Sequence, residues 1–168
     1  MEQLIIHGGA GSLEGKLAEA QVMHDSLCNI WDESFVLLKK GSAEETVRHA
    51  IRMLEDDPVF NAGTGSKLQA DGQVRMSSAL MDGTKNRFSG VINVQNIRNP
   101  IEAAALLSKE ENTVLSADQA TEFCRRNGME DYDPITPERL EEYERRCSGK
   151  HGTVAAVALH KEGHIFAG

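Results

Sequence analysis

A chain of 168 residues, 40% of them hydrophobic, has the length of one domain and enough apolar material for a sizeable core. Eighteen basic against 26 acidic residues give a net charge of −8 and a pI near 5.2, which argues against nucleic acid or an anionic membrane as a partner. The cysteines Cys28, Cys124 and Cys147 form neither a C-x-x-C pair nor a disulfide framework, and Met1 to His7 carries no basic region and only three consecutive apolar residues. The expectation is a cytoplasmic protein without signal peptide or membrane span.

In chain order, Leu4–Ile6 predicts a short strand running into His7-Gly8-Gly9-Ala10-Gly11. Such a turn can aim main-chain N–H groups at a phosphate or a developing oxyanion, so His7, Gly8, Gly9 and Gly11 are oxyanion or turn candidates. Their spacing is that of neither a dinucleotide fingerprint nor a Walker loop. Apolar residues Val22, Leu27, Ile30, Trp31, Phe35 and Leu38 recur at helical spacing and predict a helix from about 17 to 40, with Trp31 and the methionines in core roles. Ser42 and Glu45 predict a capping box opening a second helix over about 43–55.

The acids and proline after Leu54, then Asn61-Ala62-Gly63-Thr64-Gly65, predict a constrained loop able to hold the Asn61 amide in one place. A hairpin is expected from 67–69 and 73–81 around Asp71-Gly72, then a strand over 90–97, a helix from Pro100 to about 109 and another over about 117–127. Residues 129–152 have a thin apolar face and predict a mobile, exposed linker, followed by strands over 153–159 and 164–167 joined at Lys161-Glu162-Gly163.

The stretch from Lys150 to Leu159 carries the sharpest chemistry. Gly152-Thr153 before a run of small and β-branched residues places a hydroxyl at a strand start. Were the Gly152–Thr153 bond cut, the free α-amine of Thr153, with a reference pKa of about 7.7–8.0, could take the proton of its own hydroxyl. Taken alone, these residues fit an ordinary turn-to-strand junction better.

Five segments in order change that balance. HGGAG at 7–11, LEDDPVFNAGTGS at 54–66, MDG at 81–83, IRNPIEAA at 97–104 and HGTVAAVAL at 151–159 together resemble the plant-type L-asparaginase/isoaspartyl peptidase family of N-terminal-nucleophile hydrolases. The resemblance implies a layered α/β fold, part of an αββα sandwich, and a precursor that cuts itself into an α and a β subunit. Residues 1–152 would then be the α region and 153–168 the start of the β subunit, with Gly152-Thr153 as the cleavage site, Thr153 as nucleophile and Asn61 beside it. It implies a sodium ion on the main-chain carbonyls of Leu54, Glu55, Asp57, Phe60, Ala62 and Thr64, with no cofactor required. It further implies a C-terminal half as partner, a dimer of αβ heterodimers, and asparagine or β-aspartyl dipeptides as substrates. Calcium on the carboxylates of Glu55, Asp56 and Asp57 is the alternative ion.

The sequence departs from the family pattern at Ala155, where glycine is usual, at His160, where aspartate is usual, and at Ser77, where an acid is frequent. The family's substrate-clamping residues and most oxyanion donors would lie beyond residue 168. Three readings follow: an amidohydrolase whose second half supplies the clamp, a silent or partner-binding fragment, and, within the family, a glycosylasparaginase-like activity. The expected architecture is a sheet of 4–7, 73–81, 90–97 and 153–159 with helices on one side, and an apolar surface exposed where a second chain would cover it.

Overall fold

The computed structural model describes residues 1–11, 16–145 and 155–167. Eleven elements appear among them: β1 (Gln3–His7), α1 (Leu17–Lys40), α2 (Ala43–Asp56), β2 (Met76–Asp82), β3 (Arg87–Val94), α3 (Pro100–Leu107), β4 (Val114–Ser116), α4 (Ala117–Arg126), α5 (Pro137–Arg145), β5 (Ala155–Leu159) and β6 (Ile165–Ala167). The strands form one six-stranded sheet in the order β1-β5-β6-β2-β3-β4, antiparallel except for the parallel β3–β4 pair. The fold is therefore mixed α/β, as expected. No described helix is long and apolar enough to cross a membrane.

Two apolar clusters fill the space between sheet and helices. Ile30, Leu38, Val47, Ile51 and Leu54 meet Leu4, Leu80, Ala156, Ala158 and Phe166 in one. Val91, Val94 and Ile97 meet Ala103, Leu107, Ala120 and Cys124 in the other. Helix α3 joins the two, since its Ile101, Ala104 and Ala105 belong to the first and its Ala103 and Leu107 to the second. Each fully buried Leu, Ile or Val contributes roughly 1.5–3 kcal/mol.

The helix ends explain where the elements start. Ser42 and Glu45 form the predicted capping box at α2. Helix α3 has Pro100 in its first turn but no side-chain cap from Asn99; instead the Glu55 carboxyl group, from the end of α2, accepts the Ile101 N–H at 3.1 Å. A residue of one helix thus does the capping of another.

Several expectations need correction. The buried stripe of α1 is narrow, only Ile30, Ser34 and Leu38, and Val22 and Trp31 are exposed. Trp31 stacks on Phe35 and donates Nε1–H to the Leu4 carbonyl at 3.1 Å, so it ties α1 to β1 from the rim of the core. Residues 67–69 form no strand; a turn closes at Gln69–Gln73, and the true partner of β2 is β3, through residues 83–86. Strand β4 had no counterpart in the sequence reading, because three residues show no period.

The second face of the sheet carries no described helix. Ile5, Val157, Ala167, Met81 and Phe88 stand in register across five strands. On that row Ile5 is 70% exposed, Val157 36% and Phe88 51%, with Ile92, Val114 and Ile165 exposed around them. In the adjacent row, Leu4, Ala158 and Phe166 are buried against the helices. An apolar row this broad on a sheet face is what a second layer covers.

Candidate active site

Residues 54–66 form the base of the site, and their course depends on two glycines. At Gly63, φ is +49°, and a Cβ would sit 2.2 Å from the Glu55 carbonyl oxygen; at Gly65, φ is +86°, and a Cβ would sit 2.5 Å from that of Pro58. Only glycine lets the loop fold back on the end of α2, where Thr64 N–H donates to the Glu55 carbonyl at 2.7 Å. That return carries Asn61 past Lys67, whose backbone N–H donates to Asn61 Oδ1 at 2.7 Å. With the oxygen so engaged, the Asn61 side chain has a set orientation.

The loop, the glycine turn after β1 and the start of β5 lie together. His7 ends β1 directly opposite Ala155, two residues after Thr153. Gly8 lies against Phe60 and Leu27 so closely that a Cβ would come 2.8 Å from the Phe60 ring. A cleft of about 600 Å³ is lined by Asn61, Ser66, Lys67, Ser77, Ser78 and Ala155, among others. Ser77 Oγ also accepts the Asn93 N–H at 3.2 Å. Gly11 is exposed at the end of the turn, with open space around it. Gly152 and Thr153 lie outside the described residues, as do His151 and Cys147.

The described part of the 129–152 segment is mostly exposed, α5 having no buried residue, but polar ties join it to the loop. Tyr132 Oη and Thr64 Oγ1 are 2.8 Å apart, and Gly65 N–H donates to the Pro134 carbonyl at 2.9 Å. From α5, Arg139 donates to the carbonyls of Gly65 and, at 3.4 Å, Phe60, while Glu142 accepts from Lys67 Nζ and Arg139 Nη1, both at 2.8 Å. These polar ties do what the thin apolar face of α5 suggested it could not. Burial alone would raise the Glu142 carboxyl, but hydrogen bonds from Lys67 and Arg139, and their charges, hold it down at about 2. Arg139 and Tyr132 were not singled out by sequence reasoning, since no local spacing signals a contact across more than 60 residues.

The acids of the loop are already occupied. Glu55 is buried on α3, and burial raises its carboxyl well above the ordinary range, partly opposed by the Ile101 N–H. Asp56 accepts from Arg98 at 2.7 Å and Asn99 at 3.1 Å, and Asp57 accepts from Ser26 and the Val59 N–H. The three carboxyl groups meet three different sets of partners, and among the described residues they are not grouped closely enough to share one ion as they stand. The carbonyls of Glu55, Asp57 and Phe60 each accept a hydrogen bond, from the Thr64 N–H, the Phe60 N–H and Arg139 respectively, and each keeps a second lone pair.

A mixed α/β sheet layered with helices on one face, joined to a glycine-shaped loop that brings Asn61 into one cleft with Ala155, is consistent with part of an N-terminal-nucleophile hydrolase fold. The chain belongs to the asparaginase family: the family described as Asparaginase matches residues 1–150. It is 40% identical over 188 residues to an isoaspartyl peptidase/L-asparaginase of Synechocystis sp., covering 99% of this chain and 56% of the relative. It is 44% identical to the isoaspartyl peptidase/L-asparaginase of Nostoc sp., covering 95% and 51%, and 38% identical to the plant-type L-asparaginase of Thermococcus kodakarensis, covering 86% and 47%. The chain spans about half the length of these relatives.

Proposed function

We propose that this chain is the first half of a threonine-nucleophile amidohydrolase that cleaves itself at Gly152–Thr153 and hydrolyses β-aspartyl dipeptides and L-asparagine. The observation that carries this reading is the shared cleft of Asn61 and Ala155, with Asn61 oriented by Lys67 and the strand behind Thr153 starting at its wall. The names of the relatives supply the substrate class.

In self-cleavage the Thr153 hydroxyl attacks the Gly152 carbonyl, the acyl group moves from nitrogen to oxygen, and water hydrolyses the ester, freeing the Thr153 amine. In turnover the same hydroxyl attacks the substrate amide and forms a β-aspartyl ester, releasing ammonia or the following amino acid; water then releases aspartate. The Asn61 amide, oriented through its oxygen by the Lys67 N–H, lines the cleft. The partner proposed is a C-terminal half, whose second sheet would lie on the row from Ile5 to Phe88, and the assembly a dimer of αβ units. A sodium ion on the carbonyls of Leu54, Glu55, Asp57, Phe60, Ala62 and Thr64 would stiffen the loop that carries Asn61.

The test uses the full-length protein. Intact mass should give two polypeptides, one beginning at Thr153, with turnover of β-aspartyl-leucine and asparagine. Thr153→Ala should abolish both, and Thr153→Ser should retain part of each. An uncut chain, or turnover surviving Thr153→Ala, would overturn the reading; an uncut, inactive protein is what a silent fragment predicts.

A further inference from the structure

The hairpin of β5 and β6 carries a group of side chains that the hydrolytic site does not use. His160 N–H donates to the His164 carbonyl at 2.8 Å, and Gly163 N–H donates to the His160 carbonyl at 2.9 Å. Gly163 has φ +84°. This is a three-residue hairpin loop with glycine in the left-handed position, so its geometry is dictated by Lys161-Glu162-Gly163. Residues 160 and 164 continue the Leu159–Ile165 pairing as a cross-strand pair, which sets their side chains side by side. The Glu162 side chain comes back over them from the loop.

The result is convergence. One ligand-type atom from each of His160, Glu162 and His164 lies within 4.8 Å of the others, and this is the one such group of three among the described residues. The imidazoles are 6.4 Å apart, centre to centre, and 27° from parallel. His160 Nδ1 is 4.0 Å from Glu162 Oε2, and the His160 side chain is only 13% exposed, so one ligand is held by its surroundings while the other two are at the surface and able to adjust. Nδ1 also accepts the Glu162 N–H, but at 3.4 Å, a weak bond that a metal would readily replace.

We propose that His160, Glu162 and His164 bind a borderline divalent cation, Zn²⁺ first, as a clamp on the β5–β6 hairpin. Two imidazoles and a carboxylate are a ligand set suited to zinc, with water completing the tetrahedron. Bonds of about 2.0–2.2 Å put tetrahedral ligands about 3.4 Å apart, so the present arrangement must contract by roughly 1–1.5 Å, within the reach of side-chain rotation at Glu162 and His164. The site lies at the opposite end of β5 from Ala155 and the cleft. Its proposed role is to pin the register of the strand pair rather than to take part in hydrolysis.

The test is calorimetric titration of the full-length protein with ZnCl₂ after dialysis against a chelator. One ion per chain should bind with micromolar affinity or better. His160→Gln and His164→Asn should each weaken binding by at least about tenfold, since even a ligand's supporting partner is worth that much, and Glu162→Gln should weaken it less. His24→Asn removes another exposed histidine, beside Asp25 and Cys28, and should change nothing. Should His160→Gln fail to fold, as circular dichroism would reveal, the exposed His164→Asn carries the test. No binding, binding that persists in His164→Asn, or binding that falls with His24→Asn would overturn the proposal.

Discussion

The backbone N–H of Lys67 holds the side-chain oxygen of Asn61 at 2.7 Å, and the side chain of the same lysine reaches Glu142 of α5. One residue therefore orients the candidate catalytic amide and anchors the segment that leads towards Gly152. Positioning and chemistry at Asn61 can be separated. Asn61→Asp keeps the acceptor for Lys67 and loses the N–H₂ donor; Asn61→Ala loses both. In the full-length protein Asn61→Asp should unfold near the wild-type temperature yet lose about 10²-fold in turnover, while Asn61→Ala should also lose about 1–2 kcal/mol of stability. Wild-type turnover in Asn61→Asp would remove Asn61 from the mechanism.

Glu142 makes the docking of α5 sensitive to acid. Its carboxyl is held at about 2, below an ordinary value of 4.5, so its contribution is complete above about 4.5 and is lost as pH falls through 2. Limited proteolysis should find residues 129–145 resistant at neutral pH and increasingly cut between pH 4.5 and 2. Glu142→Gln should bring that susceptibility to neutral pH, costing on the order of 1–2 kcal/mol locally after allowance for solvent screening. Equal cleavage of both proteins at neutral pH would show that the ties to Lys67 and Arg139 do not hold the segment.

Glu55 has the opposite sign. A carboxyl raised by burial keeps its proton in the folded state after the unfolded chain has lost its own. Stability from this group is therefore complete below about 4.5 and declines as pH rises towards the folded value. Glu55→Gln preserves an oxygen acceptor for Ile101 and cannot ionise, so it should flatten the fall of stability with pH and leave the protein at least as stable near neutrality. Chemical denaturation at several pH values would measure it, and a steeper fall in the variant would contradict the assignment.

Phe88 tests the open sheet face. If a second layer covers the row from Ile5 to Phe88 in the full-length protein, Phe88→Ser should cost about 3 kcal/mol, as for a large side chain deleted from a core. A residue that stays in solvent would change stability by no more than about 0.5 kcal/mol. Thermal or denaturant unfolding distinguishes the two.

Periodicity and capping chemistry carried the sequence reading furthest. Helices α2, α3 and α4, the Ser42 cap and the Lys161-Glu162-Gly163 turn could all be read because each depends on residues within one or two turns of each other. What escaped depends on distant partners: Trp31 reads as core by spacing but is drawn to the rim by the Leu4 carbonyl, and α5 reads as loose because its anchors are charged and lie near residue 65. At the site, the glycines of the 54–66 loop pointed to a constrained backbone, and the structure supplies the constraint at Gly63 and Gly65. The sequence groups the acids there as the calcium alternative; burial and separate partners make them different in kind.

The strand order also sets a timetable for folding. Gln3 pairs with Leu159, 156 positions away, and β5 and β6 stand between β1 and the β2–β3–β4 group. Closing a loop of that length costs roughly 4–5 kcal/mol of chain entropy, recovered only when β5 and β6 dock. As the chain leaves the ribosome, β1 and the outer edge of β2 have no neighbour until residues 155–167 emerge. Until residues 155–167 emerge, the nascent protein therefore carries two unpaired strand edges, the interval in which a chaperone, or another copy caught in the same state, would find it.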